Sequence, residues 1–406
     1  MKWLNLVWMV FVLSGCALRQ ELRVATDGNN STPTHITQNP TTPLALPLPL
    51  PITLTPTQQT IGHFSVQPII VQTLPANLET PPPGDLSPSG EETPVFNFAS
   101  NGVTSSVGDI PLAELSIEAL AQRAYGQDAG TLTFESTLEN TGGFTRSLFS
   151  YPSDGLKIYG FMNTPLGSGP FPVVIFVHGY VNPLLYETLD YSVRYADDLT
   201  RRGFIVIHPN LRGYPPSDEG MDYFEIGKAI DVLNLVALIQ RDAGKTDLLA
   251  QADPNKIALW GHSMGGGIAL RVVTVNLPSI TGTGPAVKAA ILYAPMSGDE
   301  AKNAYHNYYV FTQPRWEQEI TIPPEMLLPI SPVYHYEKIE AAIQIHHGAK
   351  DSLIPIEWSR ETCAQMQTVG ITLECYEYRT QTHNFCCDSY KWMLNRMVSF
   401  LFIHMP

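Results

Sequence analysis

Gly261-His262-Ser263-Met264-Gly265 sets a serine between two glycines, where one apolar stretch ends and another begins. Residues 256–260 read as a buried strand, and 264–274 carry apolar residues at helical spacing. A serine at such a strand-to-helix turn is held on a strained backbone with its hydroxyl lifted clear of the sheet, and glycines flank it because a Cβ would clash there. Ser263 is therefore the candidate nucleophile. A hydroxyl nucleophile needs a base to take its proton, and the base needs an acid to orient it. Residues 342–348 read as a buried strand ending at Gly348, with Asp351 just beyond it. Residues 371–378 alternate as a further strand, and the loop after them carries His383. Nucleophile, acid and base thus follow in the order Ser263, Asp351, His383, each at or just past the carboxyl end of a predicted strand. That placement lets three distant residues meet on one rim of a sheet, and the chemistry they could do together is acyl transfer.

The tetrahedral intermediate of such a reaction needs donors for its oxyanion, one from the residue after the nucleophile and one from an early strand-end loop. The apolar run 171–177 ends in His178-Gly179-Tyr180, so the backbone N–H groups of Tyr180 and Met264 are the expected pair. His178 reads as a residue shaping that loop, since one histidine can serve both proton transfers. Asp299 is a fallback for the acid. Arg212, in Asn210-Leu-Arg-Gly-Tyr-Pro-Pro-Ser217, reads as a loop-fixing residue, because guanidinium groups readily bond local carbonyls.

His-Gly after the early strand, Gly-His-Ser-Met-Gly, the run Ser331-Pro-Val-Tyr-His-Tyr-Glu-Lys-Ile339 and His347-Gly-Ala-Lys-Asp351 resemble the catalytic domain of prolyl oligopeptidase-like serine peptidases of the α/β-hydrolase fold. Dienelactone hydrolase-like and acetyl esterase-like hydrolases share much of the pattern. The similarity covers about 151–403 and implies a Ser-His-Asp mechanism on Ser263, His383 and Asp351. Oligopeptidases of that family carry a large propeller ahead of the catalytic domain, for which this chain has no room. The His-Gly-Tyr loop is closer to the acetyl esterase pattern. Both departures bear on the substrate, peptide or ester, and leave the chemistry as it stands.

The elements that must position these residues follow from periodicity. A helix over 115–125 with Ser116 as its cap is followed by alternating strands at 131–137, 144–151 and 156–163, an antiparallel start to the sheet. Then come a strand at 171–177, a helix at 190–202, a strand at 204–209 and a helix at 223–240. After the serine turn come strands at 287–294 and 343–347, a helix at 357–369, the strand at 371–378 and a closing helix at 389–402. Strands alternating with helices imply a doubly wound, mostly parallel α/β sheet with both faces covered. About 296–332 the pattern breaks into aromatics and prolines, which reads as a short cap beside the site, its aromatics a pocket lining or a packed small core.

Residues 1–15 have one basic residue and a short apolar run, the pattern of a signal peptide. The run ends in Leu13-Ser-Gly-Cys16, which resembles the bacterial lipoprotein signal and implies lipidation of Cys16 and an extracytoplasmic place on a membrane. Residues 16–108 are rich in Pro, Thr, Asn and Gln with no helical period, the composition of a disordered tether spanning about 50 Å or more. The catalytic domain is expected over 109–406. With Cys16 lipidated, Cys363, Cys375, Cys386 and Cys387 form an even set, consistent with one or two disulfides, one of which could fix the His383 loop at Cys386 and Cys387. No metal site is expected: no Cys-x-x-Cys pair is present, and His346 and His347, consecutive on a strand, point to opposite faces. A net charge of −14 over 406 residues argues against nucleic acid, and no phosphate-cradling loop or cofactor motif is present. The sequence thus points to a membrane-tethered serine hydrolase, peptidase or carboxylesterase, acting on a small ester or a short peptide; the alternative of another class is a non-catalytic binding module on the same fold.

Overall fold

The computed structural model describes residues 110–406 except 129, 246 and 312–315. The expected signal segment, Cys16 and the proline-rich tether lie outside the described residues. Nine strands form one sheet: β1 (Thr133–Asn140), β2 (Phe144–Ser153), β3 (Leu156–Pro165), β4 (Phe171–Val177), β5 (Ile205–Pro209), β6 (Ala252–His262), β7 (Val287–Tyr293), β8 (Ala342–Gly348) and β9 (Leu373–Tyr378). Their order is β1-β2-β3-β5-β4-β6-β7-β8-β9. The first three strands pair antiparallel and join β5 in the same sense, whereas β4 to β9 pair parallel throughout.

The reason for two-sided burial is visible within β4. Val173, Ile175 and Val177 enter one core, while Val174 and Phe176 enter the other, all with no exposed surface. Successive side chains of a strand point to opposite faces, so a strand with helices on both sides must be apolar at every position. The helices are α1 (Ile117–Gln122), α2 (Val193–Thr200), α3 (Ile226–Asp242), α4 (Met264–Val275), α5 (Glu300–His306), α6 (Ile356–Thr368) and α7 (Cys387–His404). Buried residues of α1, α3 and α4 share the first core; those of α2 and α7 fill the second, around Trp260 and Phe176.

Two expectations near the start of the fold need correction. The helix sought over 115–125 is only Ile117–Gln122: Ser116 caps it as read, accepting from the Ala119 N–H at 3.2 Å, but the chain leaves the helix at Arg123 in an extended conformation. The first strand begins two residues later than expected and runs to Asn140. Between Met296 and Ser331 the described residues form α5, a π-helical turn at Asn307–Phe311 and short 3-10 turns, the last of them beside Pro323, Pro324 and Pro329, which lack the N–H groups that a longer helix would need there.

The cysteines resolve into one bridge, Cys363–Cys375, which fastens α6 to β9. Cys386 and Cys387 stand outside any disulfide, their sulfurs 2.9 Å apart at the start of α7. The bridge considered for the His383 loop therefore joins other elements, and that loop is held by hydrogen bonds.

Candidate active site

Ser263 is the single residue between β6 and α4. Its backbone lies at φ 58° and ψ −120°, a strained region for any residue with a side chain. Neighbouring backbone holds it there: its N–H donates to the Tyr293 carbonyl at 3.0 Å, and its carbonyl accepts from Gly266, Gly267 and Met296 at 2.9, 3.2 and 3.1 Å. The turn closes this tightly only because two glycines permit it. A Cβ on Gly261 would lie 2.2 Å from the Gly265 carbonyl oxygen, and one on Gly265 would lie 2.0 Å from that of Val177. The second contact matters most for the site, since it lets the N-terminus of α4 seat directly against the end of β4.

Asp351 follows β8 in a turn closed by its own N–H on the Gly348 carbonyl, 3.1 Å. Its side chain has no exposed surface and four donors. One oxygen accepts from the Leu353 and Ile354 N–H groups at 2.9 and 3.0 Å; the other meets His383 Nδ1 at 2.7 Å and His347 Nε2 at 3.1 Å. Burial pushes the Asp351 pKa up, but the bonds from His347 and His383, the His383 charge and the Ile354 N–H more than reverse that. The carboxyl sits well below the usual carboxylate range. With Nδ1 committed to Asp351, Nε2 is the ring nitrogen of His383 left to accept a proton.

The loop that carries His383 is fixed through His262, the residue before the serine. Burial, first, and the neighbouring His383 push the His262 pKa well below its usual value, so the ring is neutral. Its Nε2 faces the His383 carbonyl at 3.1 Å and so carries the hydrogen, which leaves Nδ1 to accept from the Tyr191 hydroxyl at 2.6 Å. The His262 and His383 rings lie 4.6 Å apart, and the side chains of the serine turn and of the histidine loop are thereby in contact. Two further bonds staple the loop: Lys350 N–H to the Gln381 carbonyl, 2.9 Å, and Cys386 N–H to Gln381 Oε1, 3.0 Å.

The loop after β4 supplies the other wall. A Cβ on Gly179 would be 3.0 Å from Ser263 Cβ, so this backbone lies in van der Waals contact with the nucleophile candidate. His178 sets the loop's course as a buried strut, its two ring nitrogens 2.8 Å from the carbonyls of Gly179 and Asn210. Burial pushes its pKa down to about 4, against the pull of those carbonyls, which keeps it out of proton transfer near neutrality. Tyr180 and Met264 line one cavity with Ser263. Met264 is the first residue of α4, and an N–H there has no acceptor within its own helix.

Of the other residues singled out, Asp299 caps α5, accepting from Ala301 N–H at 2.9 Å and Lys302 N–H at 3.4 Å, so its carboxylate is engaged away from His383. Arg212 fixes its loop as read, bonding Asp231 through Nε and Nη2 and the Met221 carbonyl through Nη1. His346 bonds Tyr378 and Gln344, on the face opposite His347. No group of three or more possible metal ligands occurs among the described residues. Sequence reasoning gave no role to His347, His262 or Tyr191. His347, four residues before Asp351, carried a signal in its spacing; Tyr191 carried none.

Residues 174–373 match a family model described as "Alpha/beta hydrolase family". Over 246 residues the chain is 22% identical to an uncharacterized peptidase of Bacillus subtilis, covering 57% of this chain and 34% of that protein. It therefore spans about a third of that relative's length. Over 250 residues it is 21% identical to a putative carboxymethylenebutenolidase of Synechocystis, covering 60% of this chain and 87% of that one. Among solved structures, the acylaminoacyl peptidase of Pyrococcus horikoshii superimposes with a TM-score of 0.50 at 20% identity, covering 66% of this chain and 42% of that one. At that identity the likeness concerns the fold.

Proposed function

We propose that this chain, which has the α/β-hydrolase fold, is a serine hydrolase that cleaves peptide or ester bonds through an acyl-enzyme on Ser263. The observation that carries the reading is the 2.7 Å bond from His383 Nδ1 to buried Asp351, on a loop that His262 ties to the serine turn. In this reading Ser263 Oγ attacks the substrate carbonyl carbon while His383 Nε2 takes its proton, and Asp351 stabilises the imidazolium that forms. The oxyanion is held by the N–H groups of Tyr180 and Met264. Collapse breaks the scissile bond, and His383 returns the proton to the leaving amine or alcohol. Water then attacks the acyl-enzyme with the same base, releasing the acid and restoring Ser263.

Peptidase is the reading taken from the resemblance, and carboxylesterase is the second, supported by the His-Gly-Tyr loop and by the relative named as a putative carboxymethylenebutenolidase. As a further part of the same proposal, the chain is lipidated at Cys16 and held outside a bacterial membrane by residues 16–108.

The test is labelling of the protein with a fluorophosphonate probe, wild type against Ser263→Ala. Labelling that is lost in the variant is the expected result. Turnover of short-chain aryl esters against aminoacyl and prolyl amides then separates esterase from peptidase. A folded wild type that takes no label would overturn the enzyme reading in favour of a binding module on this fold.

A further inference from the structure

The cavity that holds Ser263, Tyr180 and Met264 continues along α4 and under the cap, and its far wall is charged. Glu225, Glu300, Glu319 and Arg271 all line it. Arg271 and Glu300 form a buried ion pair, with Asn303 on the second oxygen of Glu300, so these two cancel. Glu225 is ion-paired to Lys228. Glu319 differs from both. Only 3% exposed, it accepts one hydrogen bond, from the Phe224 N–H to Oε1 at 2.7 Å, and Oε2 has no hydrogen-bond partner among the described residues. Among the described residues, no cation is paired with it. A buried carboxyl in this state is costly unless something completes it.

The surrounding backbone is arranged around this carboxyl. Phe224 and Glu225 are consecutive non-glycine residues in the left-handed region, at φ 52° and 57°, and the Phe224 N–H that this conformation presents is the one Glu319 accepts. Strain of this kind persists where the surroundings over-determine it and clusters at ligand sites. Two other lining residues are aromatic: the rings of Tyr180 and Trp316 lie 5.6 Å apart at the same cavity. A ring face and a carboxylate attract the same kind of guest, an organic cation.

We propose that the cavity beside Ser263 is a subsite for an ammonium group of the substrate, with the Glu319 carboxylate as its counter-charge and Tyr180 and Trp316 as its walls. The proposal deepens the hydrolase reading above and rests on it. Burial pushes the Glu319 pKa up to about 8; the Phe224 N–H pulls it down, and the carboxylates of Glu225, Asp222 and Glu300 add to the rise. Among the described residues, the charges that act on it are therefore those three acids, with Arg271 already paired to Glu300 and Lys228 to Glu225 and Asp222. The sign follows from this. Below about pH 8 Glu319 is mostly protonated and gives a cation little; above it the carboxylate is formed, and a cationic guest gains an ion pair that a neutral guest does not.

The experiment compares aryl or alkyl esters that carry a trimethylammonium group with neutral tert-butyl isosteres. One arm places the group in the acyl chain and the other in the alcohol, each over a series of spacer lengths. A quaternary nitrogen does not titrate, so any pH dependence of the cation-to-neutral ratio of kcat/KM belongs to the protein. The ratio is expected to rise about tenfold between pH 6.5 and 9.5 in at least one arm, and to lose that rise in Glu319→Gln, which keeps an oxygen for the Phe224 N–H. A ratio that stays flat in both arms, while the neutral esters are hydrolysed in a Ser263-dependent way, overturns the subsite and leaves the hydrolase reading standing. If no ester is turned over and Ser263 takes no label, the hydrolase reading has failed. The subsite is then judged by binding of tetramethylammonium to wild type and Glu319→Gln by calorimetry at the two pH values. Binding confined to wild type at high pH supports it, and its absence overturns it.

Discussion

Asp351 is held from two sides, and only one of them belongs to the proposed base. His383 donates from the loop after β9, while His347, the penultimate residue of β8, donates to the same oxygen and is itself fixed by Ser359 through Nδ1 at 2.7 Å. A carboxylate pinned by His347 and two backbone N–H groups would not rotate away when, in the proposed mechanism, His383 becomes an imidazolium, which would make His347 a positioning residue for the acid. Replacing His347 with leucine is expected to slow fluorophosphonate labelling of Ser263 about tenfold, the worth of one charge-assisted bond. Ser359→Ala, which loosens the ring without removing its contact with Asp351, should slow labelling less. Equal rates in His347→Leu and wild type, with both proteins folded by circular dichroism, would exclude the role. These contacts also mark what the sequence could convey. Ser263, Asp351 and His383 could be picked out because each sits at a predicted strand end in a fixed order. The parts played by His347, His262 and Tyr191 depend on which loops become neighbours, and Tyr191 is 71 residues from the ring it donates to.

At the scale of elements, the site depends on how closely the N-terminus of α4 approaches the end of β4. Gly265 makes that approach possible: a methyl group there would meet two backbone oxygens, Val177 at 2.0 Å and His178 at 2.5 Å, neither of which can swing aside as a side chain would. Gly265→Ala is expected to destabilise the fold by roughly 3 kcal/mol or more and to abolish labelling, because relief requires moving the loop that bears Tyr180. Gly142→Ala is the control, since nothing lies within 4 Å of a Cβ there, and it should change stability by no more than about 0.5 kcal/mol. Urea unfolding of the two variants measures both, and a Gly265→Ala protein as stable as wild type would refute the close-packing argument. Elements of this buried kind were the most legible ones. Strand β4 spans 171–177 as the apolar run suggested, since burial on both faces leaves a continuous signature. The stretch from Met296 to Ser331 was legible only as a break. Its prolines forbid a long helix but do not say which short turns replace it, and Glu319 and Trp316, both cavity residues, sit within it.

For the whole molecule, the proposal of a tethered enzyme turns on Cys16, at the end of Leu13-Ser-Gly-Cys16. In that proposal the short apolar run serves as an export signal, being too brief for a stable span, and firm attachment comes from lipid. One acyl chain gives only marginal, reversible binding, whereas a cysteine bearing two or more chains holds firmly. The full chain expressed in a bacterial host is expected to sediment with membranes through an alkaline carbonate wash, and Cys16→Ser is expected to leave them. Both proteins should label equally at Ser263, since the change lies far in sequence from the hydrolase fold. A Cys16→Ser protein that stays in the washed membranes would show that something other than a lipidated cysteine holds it. The Leu-Pro run at 44–51 would then be the first segment to delete, because it is the longest apolar stretch between the signal and the sheet.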